Sequence, residues 1–386
     1  MTEKKDNKIK IVIVSGLTPE GHYTNTLLEG YKVNNKYEVI VYTDNNSRKS
    51  IFEVKKVWKK NAKFFVDILW QLIKDRPDIC HYQHEINMFG PKVTAIIFPL
   101  LIFLTKLIGI KVVCTVHATV SEKQINDEFL ETFSYKVSHL NTFTTKAFFY
   151  ILYSMINIFS NKIIVHTEYA RSVLLEYPFA NKNNIAVIAH PFPNYTYKNN
   201  QNDQKITNLL YFGYFAKRKG ILNILRGFNE FVKKHPMSKV KLYLGGGVIP
   251  GQEIVIEQIQ EFIQKHNLKT KVIYLGFQAK LNDIYKLANI VLLPSSLVVS
   301  SSGPMCHAIS RSKIALVSDN PYIKEELKDK VNCLIVKDSD WEAAISTILK
   351  DSHLRETITN NLPLIQHKRS SANIFRLHED LYLKSL

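Results

Sequence analysis

Short apolar runs alternate with amphipathic stretches along the chain. Ile9 to Ser15 alternates and is β-branched, the pattern of a strand, and Glu38 to Thr43, Ile79 to Gln83, Lys111 to Val116, Lys162 to His166 and Ile185 to Ile188 follow suit. Between them Thr24–Lys32, Ala62–Lys74, Phe148–Phe159 and Glu168–Glu176 read as helices; in the second, Phe65, Ile68, Leu69, Leu72 and Ile73 share one face. A polar segment rich in Asn, Gln and Lys, Asn194 to Thr207, interrupts the pattern. It then resumes with strands at Asn208–Phe212, Val240–Leu244, Lys271–Leu275, Ile290–Leu293, Ile314–Val317 and Leu334–Val336. Helices are expected between these at Ile221–Lys234, Glu253–His266 and Asn282–Ala288, and after them at Trp341–Leu349 and Arg355–Leu362. Such alternation predicts parallel sheets with helices on both faces, an α/β chain of two Rossmann-like, doubly wound domains. The expected boundaries are 1–195, a linker at 196–207, a second domain at 208–365, and a separate amphipathic tail helix within 366–386.

One unit organises the rest. Strand Ile290–Leu293 runs into the small-residue loop Ser300-Ser301-Ser302-Gly303, and a helix starts near Pro304 before the strand Ile314–Val317. Ligands of open parallel sheets bind at the carboxyl ends of strands, and amides at a helix start suit a phosphate. Val93 to Ile108 is strongly apolar but shorter than the roughly 20 residues of a membrane span, and it holds Pro99. It reads as a buried or membrane-surface helix. With the aromatic run Phe148, Phe149, Tyr150 and Tyr153 and nearby lysines, it raises the expectation of peripheral contact with an anionic membrane.

The net charge of +17 suits an anionic partner, although the chain is rich in Lys, Asn and Ile throughout and part of the basicity is background. Zinc spacing and RNA-binding aromatic signatures are missing, so nucleic acid is not expected as a partner. The four cysteines, Cys80, Cys114, Cys306 and Cys333, show no metal-ligand spacing and no disulfide framework, which points to a reduced, cytoplasmic setting. The first residues pass from charges straight into a strand, without the apolar core of a signal peptide.

The order of segments resembles the group-1 glycosyltransferases, retaining enzymes of the GT-B architecture. LLYFGYFAKRKGILNILRGF, VKLYLGGG, VIYLGFQAKLNDIYKLANIVLLPSS and KIALVSDNPYIKEELKDKVNCLIVKDSD carry the closer match; PDICHYQHE, KVVCTVHAT, KIIVHTEYA and VIAHPF carry it more loosely in the first half. The resemblance implies two Rossmann-like domains facing across a cleft, the first for an acceptor and the second for a sugar nucleotide, with the tail helix crossing back to the first. It implies a metal-independent hexosyltransferase with no cofactor beyond the sugar-nucleotide co-substrate. The acceptor is expected to be a glycan or lipid-linked glycan, met in the cytoplasm at the inner face of the membrane.

Residue by residue, Lys219 matches the family's Lys-Gly lysine, and Gly213 and Gly220 its loop glycines. The family often has an arginine where Tyr214 stands, a loss that Arg218 or Lys217 would make good, Arg218 being favoured for its bidentate fork. The family's two loop glutamates are missing: aligning on Gly303 puts Ser300 near the first position, and aligning on Ala308 puts His307 at the second and Val299 at the first. What remains is a phosphate cradle of Ser301, Ser302 and Gly303, with His307 one turn into the helix. Glu325, or Glu326 beside it, is a candidate sugar contact. In the first domain His117 ends a strand and is the candidate catalytic residue, while Gly16, His22, His84 and Glu85 are expected around the acceptor. The competing expectation is a catalytically silent GT-B subunit bound to a partner glycosyltransferase, which the missing glutamates favour.

Overall fold

The computed structural model describes residues 8–17, 23–32, 36–45, 50–86, 88–90, 92–133, 138–195, 208–278, 280–337 and 339–386. His22 and the expected linker 196–207 lie outside the described residues. The first sheet has seven strands: β1 (Ile9–Val14), β2 (Tyr37–Asp44), β3 (Glu53–Trp58), β4 (Ile79–His84), β5 (Lys111–Val116), β6 (Lys162–Val165) and β7 (Ile185–Val187). They pair in parallel in the spatial order β3-β2-β1-β4-β5-β6-β7. The second sheet has six: β8 (Asn208–Phe212), β9 (Lys241–Gly245), β10 (Val272–Gly276), β11 (Ile290–Leu293), β12 (Ile314–Ser318) and β13 (Leu334–Val336), ordered β10-β9-β8-β11-β12-β13, again all parallel. The two α/β domains face each other across a cleft, the GT-B arrangement.

Alternation along β1 sorts its side chains: Val12 and Val14 point to one face of the sheet, Ile11 and Ile13 to the other. The first face is covered by helices Phe64–Asp75, Phe98–Leu107 and His139–Phe159. On the second face, helix Tyr23–Tyr31 packs with the tail helix Ser371–Leu383, which crosses back and places Ile374, Phe375, Leu381 and Tyr382 in the first domain's core.

Three expectations change. Strand β3 was not legible because Lys55 and Lys56 break the alternation; it is an edge strand, and Lys55 pairs with Asp75 at 2.8 Å. The apolar stretch Val93–Ile108 forms two helices, Lys92–Ala95 and Phe98–Leu107, and Pro99 opens the second, where its missing N–H costs nothing. The helix expected at Phe148 begins at His139, where Ser138 Oγ accepts the Asn141 N–H, because its first turns are too polar to show apolar periodicity. No helix among the described residues is long and apolar enough to cross a membrane.

Segments of the second domain are built into the first. Val299 and Tyr322 belong to the first domain's core. Ala118 and Ser300 form an antiparallel bridge, the Thr119 N–H donates to Val299 O at 2.8 Å, and Thr119 Oγ1 meets Tyr322 OH at 2.7 Å. The residue after the candidate catalytic histidine is thus joined to the serine loop across the cleft.

Candidate active site

The cleft between the carboxyl edges of the two sheets holds a cavity of about 460 Å³. The second domain contributes Gly213, Arg218, Lys219, Ser300, Ser301, Gly303 and His307; the first contributes Glu85 and His117.

The basic loop is a single 3₁₀ turn, Lys217–Lys219, closed by Gly220 in the left-handed region at φ 62°. A side chain at Gly220 would be strained there, and its Cβ would lie 3.0 Å from Ser296 Oγ, so glycine fixes the turn. Arg218 O accepts the Ser296 N–H at 2.9 Å, tying the basic loop to the start of the serine loop. Arg218 faces the cleft; Lys217 does not line it. Burial lowers the Arg218 pKa, with Tyr211 and Glu85 opposing the shift, so the first domain's carboxylate faces this cation. Lys219 keeps part of its surface in the cleft, but the walls desolvate its ammonium and Arg218 repels it, pushing its pKa down to about 7.

The serine loop offers fewer amides than its sequence promised. Ser302 caps helix Gly303–Ser310, its Oγ accepting the Met305 N–H at 3.3 Å, and Ser302 O takes the Cys306 N–H. Pro304 has no N–H. Of the first helical positions only Gly303 still has an amide to give a ligand, so anion binding here falls mainly to the two side-chain cations. Ser302 therefore acts as a cap, while Ser301 donates its hydroxyl to buried Glu326 at 2.6 Å.

On the opposite wall, hydrogen bonds fix the state of His117. His166 Nδ1 lies 2.9 Å from Ile188 O and must be the donor. Burial pushes the His166 pKa down to about 4, so its Nε2 is a bare acceptor, and His117 Nδ1–H donates to it at 3.0 Å. The other nitrogen of His117 meets the Gln83 amide at 2.9 Å. Both ring nitrogens of His117 are thus held by neighbours within the first domain. Gln83 in turn reaches His81 Nε2 at 3.1 Å, and His81 reaches Tyr382 on the tail helix at 2.7 Å. Tyr23 packs edge-on against the rings of His117 and His190.

Several expected contacts lie elsewhere. His84 is fully buried against Phe98, its pKa pushed down to about 4 by burial, and it does not line the cleft; only its carbonyl touches the site, accepting the His117 N–H. Its strand-end position was legible, but alternation turns its side chain away. Gly16 is buried with its N–H toward Met88 Sδ at 3.3 Å and is not a cleft residue. Glu325 caps the helix Glu168–Leu175 of the first domain, accepting the Glu168 and Tyr169 N–H groups at 2.5 and 2.7 Å; it joins the domains instead of facing a sugar. Glu326 is buried in an ion pair with Arg369 at 3.3 Å, behind Ser301.

Sequence reasoning missed Tyr23, His166, His190 and the aromatic wall of Phe129, Phe133 and Phe149, all of which line the cleft. His166 and His190 do end or follow strands, the one signal that was available. Among the described residues no group of three or more His, Cys, Asp or Glu is placed to hold a metal ion.

Residues 196–363 match the family model described as glycosyl transferases group 1. No curated protein sequence matches the chain. Solved structures share the fold over nearly its whole length. Anabaena HepE in complex with UDP-glucose is 14% identical with a TM-score of 0.74, covering 98% of this chain and 100% of that one. Sucrose-phosphate synthase of Thermosynechococcus elongatus is 16% identical with a TM-score of 0.73, covering 98% and 99%. The Escherichia coli trehalose-6-phosphate protein bound with UDP-2-fluoro glucose is 10% identical with a TM-score of 0.69, covering 97% and 98%.

Proposed function

We propose that the protein is a retaining glycosyltransferase that moves a hexose from a UDP- or GDP-linked donor to a hydroxyl of a glycan or lipid-linked glycan, in surface polysaccharide or glycoconjugate synthesis in the cytoplasm. Residues 1–195 would hold the acceptor and 208–365 the donor. UDP is the favoured nucleotide, since similar structures were solved with UDP or UDP-sugars. The observation that carries the reading is the pair Arg218 and Lys219, two partly desolvated cations at the carboxyl edge of the second sheet, in the half that matches the family model. A departing diphosphate builds negative charge where such groups converge.

In this reading Arg218, Lys219 and the Gly303 N–H neutralise the leaving diphosphate. The acceptor hydroxyl attacks on the face from which the nucleotide departs, and a leaving phosphate oxygen takes its proton, so the configuration is retained. His117 lines the cleft with both ring nitrogens held, and exposed Glu85 is the carboxylate available to orient the acceptor.

Titration calorimetry with UDP, GDP and their hexose conjugates tests this. At least one should bind, and Lys219→Ala should weaken it about tenfold or more, the loss of one charge-assisted contact. Failure of every nucleotide to bind would overturn the proposal. A second reading, a silent GT-B subunit, draws on the engaged nitrogens of His117 and the absent loop glutamates; nucleotide binding with no donor hydrolysis or transfer would favour it.

A further inference from the structure

The three helices on the outer face of the first sheet carry apolar residues on both sides. Helix Phe64–Asp75 buries Phe64, Ile68 and Leu72 and exposes Val66, Trp70 and Ile73. Beside it Ile96, Leu100 and Leu107 are exposed at helical spacing on and just before helix Phe98–Leu107. On helix His139–Phe159 the exposed stripe is Leu140, Phe143 and Ile151, the first two each 70% exposed. The helices pack side by side, with Phe103 against Phe159 at 4.8 Å, so the stripes share one outer surface. Helices of the second domain expose single residues such as Ile254 and Leu364. A shared surface of this kind marks an interaction face, where scattered residues do not.

The charge pattern selects the partner. From Ile86 to Val120, and again from Ser134 to Thr167, the chain contains no Asp or Glu. Exposed Lys63, Lys74 and Lys106 flank the stripes, and Lys74 Nζ lies 3.1 Å over the Trp70 ring. Apolar stripes edged by lysines, with Trp among them, fit a bilayer whose headgroups are anionic. The opposite, inward face of the helix that carries Leu140 and Phe143 reaches the cleft, where Phe149 forms an aromatic wall with Phe129 and Phe133.

We infer that the outer surface of these three helices docks on an anionic lipid bilayer, and that the acceptor is lipid-linked, its apolar part lying on the Phe129, Phe133 and Phe149 wall. The acceptor half of this inference rests on the transferase reading; the docking half does not.

Trp70 supplies the test. It is 57% exposed, while Trp58 and Trp341 are each 1% exposed, so fluorescence quenching by brominated lipid reports Trp70 alone. The full chain is mixed with vesicles of phosphatidylcholine, with or without roughly one-third phosphatidylglycerol, and sedimented. Binding should be at least about tenfold stronger to the anionic vesicles, with Trp70 quenched. The double variant Leu140→Ser, Phe143→Ser should lower that affinity about tenfold or more while remaining folded, both sites being exposed. The docking inference is overturned by absence of binding, by binding that leaves Trp70 unquenched or the double variant unaffected, or by a concentration-dependent dimer that shields Trp70 without lipid. Nucleotide binding is measured separately in solution. If it is present while docking fails, only this inference falls; if docking occurs without it, the docking stands and the transferase and acceptor readings fall.

Discussion

At the scale of the residue, Lys219 makes the sharpest statement about charge. Its pKa, lowered to about 7 by desolvation and by Arg218, leaves the free protein with a partly neutral lysine near pH 7. A bound diphosphate favours the charged form, so binding must take up a proton at and above that pH, and affinity must fall as pH rises above about 7. Calorimetry of nucleotide binding in two buffers of different ionisation enthalpy measures that proton. Lys219→Arg, which cannot titrate in this range, should bind without proton uptake; equal uptake in the variant would place the proton elsewhere. His117 shows the other side of residue-level reading. Its strand-end position was legible, but its partners were not, because Gln83 and His166 come from neighbouring strands far away in sequence.

Among elements, the docking of the tail helix depends on Gly30. A Cβ there would sit 2.5 Å from both Phe375 Cβ and Ser371 O, contacts with the tail helix. Helix propensity alone says that Gly30→Ala should stabilise helix Tyr23–Tyr31 by about 1 kcal/mol. Close packing says the opposite, and overpacking wins, costing about 2 kcal/mol or more. Denaturant unfolding followed at Trp58, in the first domain's core, decides it. A stabilised variant would mean that the tail does not pack there. Glu325 teaches a related lesson. Sequence order put it beside a ligand, yet its carboxylate is used as a helix cap on the other domain, where the first-turn N–H groups need an acceptor.

For the whole molecule, the response to acid rests on the histidines whose pKa values burial lowers. His81, His84, His166, His190 and His378 all pack in the first domain or at its junction with the tail helix, and burial lowers each pKa, to about 4 for His84, His166 and His378. These folded-state values lie below the unfolded value of 6.5, so below about pH 6.5 the unfolded chain binds more protons. Stability conferred by the neutral rings is therefore complete above that pH and is lost progressively toward about 4. Buried Glu326 and partly buried Glu29, with their pKa values raised, work in the opposite sense, but they are two groups against five. Acidification should thus unfold the first domain before the second. Trp58 and Trp341 report the two separately when read in Trp341→Phe and Trp58→Phe variants. Coincident transitions would instead show that the Ala118–Ser300 and Glu325 contacts make one cooperative unit.

The sequence by itself determined the alternation of strand and helix, and with it the two parallel sheets. β5, β8, β11, β13 and helix Ile221–Lys234 have the bounds that periodicity assigned, because side-chain direction along one element is a local property. It also marked the basic loop and the serine loop, whose residue types carry their chemistry with them. Only the tertiary structure decided which polar groups meet. His81 bonds Tyr382 from 301 residues away, Glu325 caps a helix more than 150 residues earlier, and Arg369 closes over Glu326 behind Ser301. Such partners are set by how crossovers and the returning tail bring distant elements together, and no local pattern records that distance. The same holds for the serine loop: its spare amides could be counted only once Ser302 was seen to have taken one of them for its own helix.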